Sequence, residues 1–125
     1  LRRDETLIMD MEAGVEHLGR ATARGVDVML VVVEPGARAV ESARRIAAMA
    51  REIGIADIRL VFNRVRSRSD EEYLRTQLSG IGVLGVVPYS ERLLEADRDG
   101  IAVTDALDPE ALGRFSAMVA ALGGQ

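Results

Sequence analysis

The chain contains no cysteine and no lysine. Without thiols there is no disulfide framework and no thiolate metal site within these 125 residues. All sixteen basic residues are arginine. Chemistry that needs a lysine amine is therefore excluded from this chain, including the lysine that grips phosphate in a P-loop. Long apolar runs are missing too. None exceeds the length of Val28 to Val33, which falls far short of the roughly 20 residues a membrane-spanning helix needs. No basic stretch followed by an apolar core opens the sequence, so no secretory signal is visible. The arginines are scattered and outnumbered by twenty acidic residues, leaving a net charge of −4. That balance argues against a nucleic-acid surface held by phosphate contacts and points to a cytoplasmic domain. The opening residue is Leu1 rather than Met, as expected of a processed product or a fragment.

What is present is globular in composition. With 48% hydrophobic and 29% charged residues, residues 1–125 fit one domain and not comfortably two. Four short apolar runs read as strands: Thr6–Met9, Val28–Val33, Ile58–Phe62 and Val83–Val87. They are mostly continuous rather than alternating, the pattern of strands buried on both faces. Each precedes a helical pattern, at the spacing of βαβ units. The expected fold class is α/β, a mostly parallel sheet flanked by helices.

Three helices carry clear punctuation. Between Ala37 and Ile53, Val40, Ala43, Ala47 and Ala50 share one face, Glu41 and Arg45 form an i,i+4 pair, and Gly54 stands where a stop is expected. Ser69 with Glu72 predicts a capping box for a helix closed by Gly80. Asp108 caps a last helix with Pro109 in its first position, and Leu112, Phe115, Val119 and Leu122 form its stripe.

Open parallel sheets bind ligands beyond the carboxyl ends of their strands, so the residues following each run are the candidates for chemistry. Asp10 follows the first run and precedes a turn ending at Gly14. A carboxylate there suits a hydrated Mg²⁺ beside phosphates; it equally suits a helix cap. Asn63 follows the third run, with an amide able to read a base edge or simply to turn a loop. Pro88 follows the fourth. The match of Gly80-Ile81-Gly82-Val83-Leu84-Gly85 to G-x-G-x-x-G is a false one, because it lies inside a strand instead of opening a helix. His17 is the only histidine and reads as a surface or packing residue.

Together these stretches resemble a known family. Asp10-Met11-Glu12-Ala13-Gly14-Val15-Glu16-His17-Leu18-Gly19-Arg20 is similar to the switch II segment of the CooC-type ATPases. These are nickel-insertion accessory proteins for carbon monoxide dehydrogenase, in the MinD/ParA/nitrogenase-iron-protein group of P-loop NTPases. The likeness continues through Val31-Val32-Val33-Glu34-Pro35, Val61-Phe62-Asn63-Arg64, Val87-Pro88-Tyr89 and Ala96-Asp97-Arg98-Asp99-Gly100. It implies a P-loop NTPase-like fold in which Asp10 holds Mg²⁺ through water, and Glu12 to Gly14 sense the γ-phosphate and couple it to a dimer partner. It further implies that Asn63 contacts adenine, Pro88 and Tyr89 line the base, and Arg64 packs along base or ribose.

The glycine-rich phosphate loop, its lysine, switch I and the family's Cys-x-Cys nickel motif are not in this sequence. The resemblance therefore covers the C-terminal half of such a protein, and this chain alone is expected neither to bind ATP tightly nor to hydrolyse it. The missing phosphate-loop strand would leave a gap between Thr6–Met9 and Val28–Val33. The implied activity belongs to a parent that binds ATP or ADP with Mg²⁺, forms a nucleotide-dependent homodimer and delivers nickel to its client metalloenzyme. It would bind neither nucleic acid nor membrane. Two other readings are a MinD- or ParA-like positioning ATPase and a non-catalytic α/β interaction module, in which Asp10 only caps a helix and Asn63 only turns a loop.

Overall fold

The computed structural model describes residues 5–8 and 25–123. Three parallel strands form one sheet in the order β1-β2-β3: β1 is Met29–Val33, β2 Ile58–Val65 and β3 Gly82–Pro88. Helix α1, Ala37–Glu52, crosses from β1 to β2, and α2, Arg68–Gln77, from β2 to β3. Three further helices follow: α3 (Glu91–Asp99), α4 (Val103–Ala106) and α5 (Pro109–Gly123).

The main core lies between one sheet face and helices α1 and α2. Val31 and Val33 from β1 meet Leu60 and Phe62 from β2, under Val40, Ala43, Ala47 and Ala50 of α1 and Leu74 of α2. The four α1 residues are the face the spacing predicts, each at most 2% exposed. Small alanines let the helix approach the sheet closely. Arg44, on the same helix, donates to the backbone carbonyl of Gln77 at 2.6 Å, satisfying an end group of α2.

The opposite face is thinner. There Val61, Val87 and Met118 form a small cluster with Leu84 and Phe115, covered by α5. Val32 and Leu30 of β1 stay 62% and 43% exposed. Both faces of β3 are thus clad, while β1 is apolar and open on one.

Several details differ from expectation. The run Thr6–Met9 forms no strand through Ile8, and Met9 lies outside the described residues. A strand needs a neighbour to pair with, and the described sheet ends at β1. Helix α2 is capped by Ser67, not Ser69: the Ser67 hydroxyl accepts from the Asp70 amide, and the Asp70 carboxylate accepts from the Arg66 amide. With both bonds made two residues earlier, Ser69 falls inside the helix. On α5 the Asp108 cap forms as expected, accepting from Ala111 at 2.9 Å. Its buried residue, however, is Met118, and Val119 is 68% exposed. Gly85 accounts for this choice, because a Cβ built there would overlap the Met118 sulfur and lie 2.6 Å from its Cγ. The glycine makes a slot in β3 that only the residue above it can fill.

Candidate functional site

Beyond the carboxyl ends of β2 and β3 lies a cavity of about 190 Å³. Asn63 and Arg64 contribute from β2, Pro88 from β3, and Tyr89 and Ser90 from the following loop. Leu93, Leu94 and Asp97 of α3 complete it. The fold therefore brings Asn63, Arg64, Pro88 and Tyr89, four residues selected from sequence, around one hollow. A larger hollow of about 470 Å³ opens at the other rim, by Arg51, Asp57 and Gly82. It collects the amino ends of the strands, the wrong end for a ligand of an open parallel sheet.

The walls are built by short local devices. Ser90 caps α3 by accepting from the Leu93 amide at 3.3 Å, which fixes where Leu93 and Leu94 face. The Tyr89 amide donates to the Val65 carbonyl at 2.9 Å, carrying the chain one residue past β3 in register. The Arg66 guanidinium lies 4.1 Å from the centre of the Tyr89 ring, a cation–π contact that orients the ring. Arg64 has φ 54°, the one positive value at a non-glycine among the described residues. Such a conformation costs about 1–2 kcal/mol for an L-residue. Its guanidinium reaches Glu34, at the end of β1, at 3.3 Å.

The cavity offers apolar sides from Pro88, Leu93, Leu94 and Tyr89, with one amide and one carboxylate. It is smaller than the roughly 300–1,000 Å³ of sites for drug-sized ligands, so it suits one flat ring rather than a whole nucleotide. Asn63 presents a donor and an acceptor side by side, the pattern that pairs with the amino edge of adenine. Asp97 adds an acceptor that sequence reasoning did not single out. Its signal was its place one turn after Leu93 on a helix opening at the strand ends. Glu34, part of the strand-end stretch selected from sequence, had no role assigned to it there.

Asp10, Glu12 and Gly14, the residues read as serving magnesium and the switch, lie outside the described residues. Among the described residues no group of three or more His, Cys, Asp or Glu could hold a metal ion. No helix among them is long and apolar enough to cross a membrane.

Residues 15–103 match the CobQ/CobB/MinD/ParA nucleotide binding domain. The chain belongs to that family. It is 35% identical over 97% of its length to the carbon monoxide dehydrogenase accessory protein CooC of Rhodospirillum rubrum, covering 46% of that protein. It is 41% identical over 78% of its length to an uncharacterized ATP-binding protein of Methanocaldococcus jannaschii, covering 38% of it. The chain thus spans less than half the length of these relatives. Among solved structures, the MinD cell division protein of Aquifex aeolicus superposes with a TM-score of 0.69 at 19% identity. That match covers 90% of this chain and 50% of the other, and shows a shared MinD-like fold. Membership in this nucleotide-binding family fits a ring-sized cavity at the strand ends.

Proposed function

We propose that this chain is the base-reading and switch half of an ATPase of the MinD/ParA group, acting like CooC in nickel insertion into carbon monoxide dehydrogenase. The observation that carries the reading is the convergence of Asn63, Arg64, Pro88 and Tyr89 on one cavity beyond the strand ends. Asn63 reads adenine through its amide, while Pro88, Tyr89, Leu93 and Leu94 hold the ring. Asp10 holds magnesium through water, and Glu12 to Gly14 relay the state of the γ-phosphate to a second copy of the parent. The metal and the phosphates are served by parts of the parent outside this chain or its described residues.

The nickel reading is favoured over cell positioning by charge and by likeness. The net charge of −4 opposes a DNA surface, and the chain is 35% identical over 97% of its length to CooC. Clear binding of the full-length parent to liposomes or DNA would reverse that preference. The test of the reading itself is Asn63→Ala in the full-length parent. Adenine-nucleotide binding weakens by about 1–3 kcal/mol if a buried amide contact is lost; unchanged calorimetric affinity means the cavity is not the base site.

A further inference from the structure

We infer that Glu34 and Arg64 are positioning residues that aim Asn63 into the cavity through the backbone, and that the Arg64 side chain does not serve the ligand directly. This rests on the nucleotide reading above. Phe62 and Val65 pack in the same core layer, yet they are three residues apart. Strict alternation along a strand would send them to opposite faces. The pairing explains the discrepancy: Phe62 stands opposite Val86 and Val65 opposite Pro88, so Asn63 and Arg64 together face Val87 alone. That is a bulge, a device that turns a side chain out of its expected direction and recurs beside functional sites. Without it Val65 would leave the core and Asn63 would keep the ordinary strand direction.

The bulge is made by the left-handed conformation of Arg64. Glycine would take that conformation freely; arginine does not. Arginine instead supplies a link, since its guanidinium meets Glu34 on the neighbouring strand end. The two side chains are about half exposed and tie the rims of β1 and β2 together beside the cavity. Arg64 lines the cavity mouth, but its charge is committed to Glu34.

Asn63 is the only asparagine in the sequence, and glutamine occurs only at Gln77 and Gln125. Its side-chain amide therefore gives a readily assigned signal in a nitrogen-15 correlation spectrum of the chain. Adenosine and inosine are titrated separately, inosine reversing the hydrogen-bonding edge at the six-position. The expected result is an Asn63 response stronger for adenosine. Glu34→Gln should lower adenosine affinity by about threefold, the reach of a half-exposed ion pair, with a smaller effect on inosine. Arg64→Ala should weaken adenosine binding and Arg64→Gly should bind it more tightly than Arg64→Ala, because glycine takes the left-handed conformation freely. Glu34→Gln added to Arg64→Gly should have no further effect. The inference is overturned if Glu34→Gln acts equally in both backgrounds, since Glu34 would then act without Arg64. It is overturned too if Glu34→Gln changes nothing, if both ligands weaken alike, or if Arg64→Gly binds adenosine no better than Arg64→Ala, since loss of a direct side-chain contact would affect both alike. Failure of adenosine to move the Asn63 amide in the unaltered chain overturns this inference alone, whereas unchanged nucleotide affinity on Asn63→Ala in the full-length parent rejects the nucleotide reading and this inference with it.

Discussion

Gly85 and Met118 interlock so closely that neither position can be read from its own sequence neighbourhood. Putting a methyl group on Gly85 would drive it into the Met118 side chain. Gly85→Ala should therefore destabilise the chain by about 1–3 kcal/mol, the usual cost of overpacking. A urea unfolding curve no weaker than that of the unaltered protein would show that Met118 swings aside without cost. Ser67 offers a milder case. Its hydroxyl caps α2 through Asp70, so Ser67→Ala should cost about 1 kcal/mol, whereas Ser69→Ala, inside the helix, should cost little. Measuring both thermal midpoints decides which serine is the cap. Sequence alone chose Ser69 because the S-x-x-E spacing is a good signature; it could not see that Asp70 bonds back to the Arg66 amide.

At the scale of elements, α1 was the most legible part of the chain. Its alanine and valine positions repeat at helical spacing and all four are buried. The Glu41–Arg45 pair also forms, at 3.1 Å. The strands from Val28, Ile58 and Val83 were legible from their continuous apolar runs, although that pattern implied cover on both faces and β1 has it on one only. Their ends were not. Strand β2 continues to Val65 through polar Asn63 and Arg64, which hydropathy reads as loop. The bulge there depends on pairing with β3, and pairing partners leave no mark in local composition. The Arg44 link between α1 and the end of α2 is similarly invisible, because the contact spans 33 residues. Arg44→Ala should cost about 0.5–1.5 kcal/mol, at the low end because the contact is exposed; an unchanged unfolding midpoint would mean that solvent replaces the arginine fully.

For the molecule as a whole, the sheet is unequally protected. Val32 and Leu30 present apolar surface on β1, and β1 forms the end of the described sheet. Exposed apolar edges invite other strands. Val32→Arg should reduce concentration-dependent association of the chain, read by light scattering; equal association of both proteins would place the contact elsewhere. The family was legible from short stretches around the strand ends, since those stretches meet a common chemical demand at one rim. What remained hidden was the part played by Asp97 and Glu34, which arises only when separate strand ends and a helix come together.

The unequal cladding of the sheet also sets an order of failure. Helix α5 rests on a cluster of three buried side chains, while α1 is sewn into the larger core. Amide hydrogens of α5 should exchange with deuterium well before those of α1, through openings that leave the remaining molecule intact. The polypeptide would then shed its last helix as a separate, earlier event on warming, and the rim that holds Asn63 would outlast it.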